Sequence, residues 1–512
     1  MKILNVDQIR KVDEATIKRD ESTSLRLMAQ ASKHFTDWFV EKVHSEEPFK
    51  YRSPSVVVIA GTGNNGGDGV HVADMLYHKN YRVKLQIVEL GKSSPDFEKK
   101  FKRVSRGLLF SSKPITSLEE LDPEFFDFDI LIDAVFGFGL NRPVTGWLAD
   151  LFERINEHPI KVMSVDMPSG MFADQYTEGT SIKADQTVSF QIPKLAFMMA
   201  SNAKRIGKLN IIPIGLSQIA INKMESIHHI LPNLAAKRLI PDRPEHGHKG
   251  TFGHALLWTG SYGRLGAGVL AAKACLRSGV GLLTVQIPSC GYEVFQMAIP
   301  EAMVSADTSE RYLEEPIHNV NKYAAIGLGP GIDQHPGTAL ALGKILREAE
   351  KPLVMDADAL NLLGKHPDWM IHLPKGTIIT PHPKEFERLF GKTENDFARL
   401  ELAIHKAQQQ SICIVLKGAR TAVISQEGQV SWNVTGNSGM GTAGSGDVLT
   451  GLITGLLAQG LPAFDAARIG VYLHGTAGDL AAAKKGEHSL IAGDLVDNLG
   501  KAFIQTNKQD TK

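Results

Sequence analysis

The residues best equipped for chemistry stand between positions 436 and 451: Gly-Asn-Ser-Gly-Met-Gly-Thr-Ala-Gly-Ser-Gly-Asp-Val-Leu-Thr-Gly. Glycine recurs there too often for a helix or strand interior, and an apolar, helix-like run follows over 448–457. A glycine loop feeding a helix start makes an anion site, because free backbone N–H groups and the positive helix end face one point. Asp447 is the only carboxylate in the loop. An acid beside a bound phosphate opposes binding but suits accepting a proton from a hydroxyl. The alternative is an ordinary glycine turn with Asp447 as N-cap.

Three further polar clusters lie in the first half. Residues 61–69 read Gly-Thr-Gly-Asn-Asn-Gly-Gly-Asp-Gly, and Gly61, Gly63 and Gly66 satisfy GxGxxG, with Glu89 further on. That is the dinucleotide fingerprint. Asn64, Asn65 and Asp68 add side-chain oxygens that suit a cation or a sugar hydroxyl as well as phosphate. Asp133 closes an apolar run and leads into Ala-Val-Phe-Gly-Phe-Gly-Leu-Asn-Arg-Pro, ending at Pro143. Asp166 closes another and leads into Met-Pro-Ser169-Gly. Each of Asp133, Asn65 and Ser169 alone reads more readily as a loop cap, but together they offer hard oxygens for an alkali or alkaline-earth ion.

The elements that position these groups follow a repeated pattern. Residues 24–43 carry an amphipathic helix. The β-branched run 55–60 reads as a strand buried on both faces, 61–69 as its loop, 70–79 as a helix and 82–90 as the next strand. Runs 128–133 and 160–166 are further strands whose ends carry the acids, and ligands bind beyond such ends in an open sheet. From Gly215 to Gly250 the pattern weakens into a His- and Pro-rich linker. His246 and His248 lack an acid or Cys partner at metal spacing. Strand–loop–helix alternation restarts with a strand at 254–258, a glycine loop at 260–268 and a helix at 269–278. Further strands end at Asp356, before His382 and at Lys417. No Walker A loop is present, since Phe386 stands five places before Gly391-Lys392-Thr393.

At 512 residues the chain is too long for one core. Lys plus Arg and Asp plus Glu both number 56, so no net charge favours nucleic acid or an acidic membrane. Cys275, Cys290 and Cys413 form no CxxC, which suits a reducing compartment. The first residues carry charges where a secretion signal needs an apolar core, and no long uncharged apolar run appears, so a cytoplasmic protein is expected.

The glycine-asparagine loop, Asp-Ala-Val-Phe-Gly-Phe-Gly and Val-Asp-Met-Pro-Ser-Gly resemble the NAD(P)H-hydrate epimerases over residues 1–220. That resemblance implies a Rossmann-like three-layer α/β domain. It implies that Asn64, Asn65, Gly66, Gly67 and Asp68, with Gly137, Phe138, Gly139, Leu140, Asn141, Arg142 and Pro143, line the hydrate site. It puts Asp166 at the nicotinamide end, where a carboxylate can move a proton, and potassium on Asn65, Asp133 and Ser169.

Residues 225–510 are similar to the ribokinase-like ADP- or ATP-dependent NAD(P)H-hydrate dehydratases. The matching stretches are His-Lys-Gly-Thr-Phe-Gly-His to His254, Gly-Leu-Gly-Pro-Gly331, Asp356-Ala-Asp-Ala-Leu-Asn, Thr-Pro-His382-Pro-Lys-Glu-Phe, Val-Leu-Lys417-Gly-Ala and Ala-Gly-Ser-Gly-Asp447. The resemblance makes Asp447 the base that deprotonates the acceptor hydroxyl. It assigns Lys417, Gly418, Ala419, Arg420, Thr421 and Gly446 to the nucleotide, and Gly268, Gly331, His382 and Asp447 to the hydrate.

The expectation is one repair enzyme with two sites, acting on NADH and NADPH hydrates with ADP and magnesium. Neither nucleic acid nor membrane is an expected partner, and a homo-oligomer is the expected assembly. The alternative is a small-molecule kinase fused to a nucleotide-sensing or interaction domain.

Overall fold

The computed structural model describes residues 1–104 and 113–508. Its contacts separate two compact units, Lys2–Ser226 and the chain from Ile227 onward together with Met1.

The first unit holds a six-stranded, wholly parallel sheet: β1 Val56–Ala60, β2 Val83–Ile87, β3 Ile130–Ala134, β4 Lys161–Val165, β5 Gln186–Phe190 and β6 Lys208–Ile212, in the order β2-β1-β3-β4-β5-β6. Alternate β1 residues serve opposite faces. Val56, Val58 and Ala60 join a core with Phe35, Phe39 and Leu76, while Val57 and Ile59 join one with Phe125, Leu151 and Phe152. Apolar layers on both faces explain the continuous hydrophobic strands. The chain runs outward from β1 to β2 and then returns to lay β3 on the other side of β1. The loops after β1 and β3 therefore diverge and leave a crevice at their carboxyl ends.

Two expectations change here. Residues 64–69 are not loop: the helix begins at Asn64 and runs to His78. Its glycines are there for close approach. A Cβ on Gly66 would lie 1.8 Å from the Gly61 carbonyl oxygen, one on Gly67 2.6 Å from Met28 Cε, and one on Gly69 2.5 Å from Ala134 Cβ. The N-terminal residues, read only for the absence of a secretion signal, form a helix Val6–Arg19 with an Asn5–Gln8 capping box. Asp174 accepts from the Val6 N–H at 2.7 Å, and Thr16 Oγ1 accepts from the Ser217 N–H at 2.9 Å, so both ends of this helix are tied down.

The second unit holds ten strands: β7 His228–Ile230, β8 His254–Trp258, β9 Leu282–Ile287, β10 Met303–Ala306, β11 Ala325–Leu328, β12 Leu353–Met355, β13 Ile378–Ile379, β14 Cys413–Leu416, β15 Ala422–Ile424 and β16 Val430–Trp432. Their order is β10-β9-β8-β11-β12-β13-β14-β15-β16-β7, parallel except that β15 runs against both neighbours. The order in which strands are laid down reverses between β8 and β11, which are themselves parallel. The stretch 215–250 is more structured than a linker, holding helices Gln218–Lys223 and Asn233–Lys237 besides β7. The glycine loop expected at 260–268 ends early, because a helix Leu265–Arg277 begins inside it. Among the described residues no helix is long and apolar enough to cross a membrane.

Candidate functional site

In the first unit the crevice between the β1 and β3 loops opens into a cavity of about 670 Å³. Asn64, Asn65, Asp68, Asp166 and residues 137–142 line it, whereas Gly66, Gly67 and Pro143 do not. The two glycines lie buried behind the wall, where they let the helix pack. The N-terminal helix adds Ile9, Arg10, Asp13 and Ile17 to the wall.

Asp166 follows β4 with a left-handed φ of 63°. For a residue other than glycine that conformation costs energy, and it recurs at functional sites. Its carboxylate forms a buried ion pair with Lys194, whose ammonium also donates to Ser189 Oγ at 2.9 Å and lies 5.6 Å from the centre of the Phe138 ring. Lys194 was not singled out from the sequence. It follows β5, a strand whose Gln-Thr-Val-Ser-Phe mixes polar and apolar residues and went unread.

Beside the cavity, Asp133 is fully buried at the end of β3. One of its oxygens accepts from Ser164 Oγ and the Ser169 N–H, both at 2.8 Å, and the other accepts from Ser169 Oγ. Burial raises its pKa, against the pull of these donors. No cationic side chain among the described residues pairs with it. Asn65 Nδ2 donates to the Phe136 carbonyl at 3.0 Å, and the Phe136 N–H donates to Ser169 Oγ at 2.8 Å. Asn65, Asp133, Ser169 and the Phe136 carbonyl are thus one knot of hard oxygens around an uncompensated buried acid, a donor set that fits an alkali cation.

In the second unit the polar groups stand along the carboxyl ends of β11 to β14, a row spanning roughly 14 Å at the usual strand spacing. Asp356 after β12 accepts from Lys417 Nζ at 2.8 Å and from Thr450 Oγ1 at 2.8 Å. Glu385 approaches the same ammonium at 3.7 Å. Burial works against the Lys417 charge, but these two acids outweigh it and raise its pKa. Lys417 is therefore held in place by its partners and not free at the surface. The helix Ser445–Ala458 begins behind Gly444, whose φ of 89° turns the chain into it. Gly446 is bare where a Cβ would sit 3.4 Å from Asp356 Oδ2 and 3.6 Å from Lys417 Nζ.

Asp447 is the third residue of this helix and not its N-cap, because Gly444 occupies that place. Its half-buried carboxyl accepts no hydrogen bond among the described residues. Burial and the charges of Asp356 and Asp358 push it up to about 7, against Lys417. A carboxyl with free oxygens and a pKa near neutrality is suited to proton transfer.

The remaining expected residues extend past the row at both ends, from the helix after β8 to the β14–β15 turn. His382 caps the helix Pro383–Phe390, accepting from the Lys384 N–H at 3.1 Å, and its ring is half exposed. Gly331, at a φ of 67°, faces the Arg264 carbonyl at the β8–β11 reversal. Gly268 lies within the helix Leu265–Arg277, packed on Thr259 and Phe295. Residues 418–421 turn between β14 and β15, with Arg420 donating to the Val434 carbonyl at 3.0 Å. Sequence reading passed over the anchoring roles of Asp356, Glu385 and Thr450. Asp356 and Glu385 sit inside quoted motifs, but nothing in their spacing reveals that they meet at Lys417.

Comparison with known proteins adds an independent line. The family described as NAD(P)H-hydrate dehydratase matches residues 255–501, and the family described as YjeF-related protein N-terminus matches 24–196. A bifunctional NAD(P)H-hydrate repair enzyme from Moorella thermoacetica is 34% identical over 94% of this chain and 91% of its own length. That of Escherichia coli is 33% identical over 86% and 84%. Among solved structures, the ADP/ATP-dependent NAD(P)H-hydrate dehydratase from Bacillus subtilis, co-crystallized with ATP/Mg2+, is 31% identical, covering 54% of this chain and 98% of that one at a TM-score of 0.47.

Proposed function

The chain belongs to the bifunctional NAD(P)H-hydrate repair enzymes, and from that premise we propose a division of labour between its two sites. The cavity of the first unit interconverts the R and S hydrates. The strand-end cluster of the second removes water from the S hydrate at the expense of ADP, giving NAD(P)H, AMP and phosphate. The observation that carries the second assignment is the convergence of Asp356, Lys417, Gly446 and Asp447 on one strand-end cluster.

Hydroxide is a poor leaving group and phosphate a good one, so phosphorylating the ring hydroxyl makes dehydration feasible. Asp447 takes the hydroxyl proton as the oxygen attacks the terminal phosphorus of the nucleotide. The N–H groups at the start of the helix Ser445–Ala458, with Lys417 held at a fixed place by Asp356, receive the negative charge. Lys417, Gly418, Ala419, Arg420, Thr421 and Gly446 hold the nucleotide; Gly268, Gly331 and His382 hold the hydrate. Both Asp356 oxygens are already engaged, whereas those of Asp447 are free to take the proton. Magnesium accompanying the nucleotide would supply charge neutralisation at the phosphates.

In the first unit, Asn64 to Asp68 and Gly137 to Pro143 form the hydrate site, Gly66, Gly67 and Pro143 acting from behind its wall. Asp166 moves a proton at the nicotinamide end. Asn65, Asp133 and Ser169 would hold potassium, whose charge would compensate the buried acid. Asp133→Asn is therefore expected to remove any stimulation of epimerisation by potassium salts over sodium salts, read by chiral separation of the hydrates. A variant that keeps the full potassium response places the ion elsewhere.

The overall reading is tested by supplying mixed hydrates, ADP and a magnesium salt and following absorbance at 340 nm. Reduced cofactor should accumulate from both epimers. A stable phosphorylated product without reduced cofactor would instead support the kinase alternative. The pH dependence follows from Asp447. Its base form is populated only above its raised pKa, so kcat/KM for dehydration should climb as pH rises through about 7 and then level off. A rate flat from pH 6 to 8 would remove Asp447 as the base.

A further inference from the structure

The first cavity contains an acid that neither the motifs nor the chemistry above employs. Asp13 stands on the helix Val6–Arg19, in line with Ile9 and Ile17 on the stripe that faces the cavity. That helix is pinned at Val6 and at Thr16, so the position of Asp13 is fixed by the fold. Its half-buried carboxyl takes part in no hydrogen bond or ion pair among the described residues, and both oxygens are free for a ligand. The charged groups acting on it are Glu14 from its own helix, Asp166 and Lys194 from the sheet side, and Asp68 from the helix Asn64–His78.

We propose that Asp13 is the second proton carrier of epimerisation, working with Asp166 on opposite sides of the hydrated ring. This rests on reading the cavity as the hydrate site. In the step itself, the C–O bond at the hydroxyl-bearing ring carbon breaks. Protonated Asp13 gives its proton to the departing oxygen, which leaves as water. The lone pair of the adjacent ring nitrogen supplies the electrons and forms a C=N⁺ bond. A water molecule then attacks the other face, its oxygen pair restores the lone pair to nitrogen, and its extra proton passes to the Asp166 carboxylate. One proton enters and one leaves, so substrate and product carry the same charge, and no oxidant or reductant is consumed. The reverse reaction exchanges the roles of the two acids.

The surroundings suit this task. Burial pushes the Asp13 carboxyl up to about 7, helped by the charges of Asp166 and Glu14 and opposed by Lys194. The Asp166 carboxylate, by contrast, is ion-paired with Lys194. Two carboxyls in unlike environments divide acid and base roles. The active enzyme carries one proton on the pair in either direction, so both epimers share one pH profile.

The test uses the full chain, a single purified epimer and no nucleotide, with interconversion followed by chiral chromatography. Asp13→Asn should slow epimerisation by a factor on the order of 10²–10⁴. Hydrate binding by calorimetry and nucleotide-dependent recovery from the S hydrate should be unchanged. In the wild type, kcat/KM for epimerisation should fall as pH rises through about 7, when the pair loses its proton, and the residual activity of the variant should lack that fall. A slow variant that retains it would show a structural role and overturn the proposal. Full activity in Asp13→Asn beside an inactive Asp166→Asn would overturn the proposal alone. Full activity in both would remove the cavity as the hydrate site.

Discussion

Asp447→Asn should abolish nucleotide-dependent recovery of reduced cofactor while leaving epimerisation intact. Loss of a general base lowers a rate by about 10²–10⁴-fold, which corresponds to roughly 3–5 kcal/mol of barrier. The amide has nearly the size of the acid and cannot accept the proton. The fold has little reason to suffer, because the carboxyl makes no hydrogen bond in the described structure. Its environment also disfavours the charge. The folded pKa lies above the unfolded value near 3.8, so any stability linked to this group is present at low pH and is lost as pH rises through about 7. At pH 8 the substitution should therefore hold or raise the thermal midpoint. Epimerisation in the first unit serves as an internal control. Recovery at the wild-type rate would show that another group takes the proton.

Gly451→Ala should be damaging for a different reason. A Cβ there would lie 1.9 Å from the Ala271 carbonyl oxygen, where the helix Ser445–Ala458 crosses the helix Leu265–Arg277. The obstacle is backbone, which cannot rotate aside, so the helices must separate. Overpacking of this kind costs about 1–3 kcal/mol and sometimes more. Asp447 lies one turn before the crossing, so the loss should reach activity as well as stability. Gly500→Ala is the control, since it stands in a helix with nothing within 4 Å of the added carbon. There the better helix propensity of Ala should give about 0.5–1 kcal/mol of extra stability. Denaturant midpoints measure both. Equal midpoints for Gly451→Ala and the wild type would show that the crossing tolerates a wider spacing.

Strands were legible where both faces are buried. The runs that became β1, β3, β4 and β8 are mainly apolar, and those of β3 and β4 end in Asp133 and Asp166. The glycine-rich stretches were legible as functional but not as structure. Residues 64–69 and 265–268 read as loops because glycine disfavours helices, yet both are helical. Their glycines answer to neighbours far along the chain, as Gly67 does to Met28 and Gly268 to Phe295. Nothing local announces such a partner. The β5 strand that precedes Lys194 was missed because polar residues interrupt it, whereas the helix carrying Asp13 has the regular spacing Val6, Ile9, Val12 and was missed because those residues were read only for a secretion signal. The pairing of Lys417 with Asp356 joins the ends of strands separated by sixty residues of sequence and is a product of the sheet order alone.

The helix Val6–Arg19 has a practical consequence for dissecting the chain. The match to the N-terminal family described as YjeF-related starts at residue 24, and a fragment trimmed to that boundary would look complete by that match. The apolar clusters on either face of the first sheet contain nothing from before Phe35, but Leu4, Ile9 and Val12 form a third with Ala31, Ile192, Ile214, Leu216, Ala220 and Ile221, so trimming would strip the cover from that surface while leaving the sheet core in place. The fragment's reaction chamber would also have lost part of its wall and stand open to bulk water. A truncated protein that is well folded but inert would then be reporting the missing enclosure and not a missing activity.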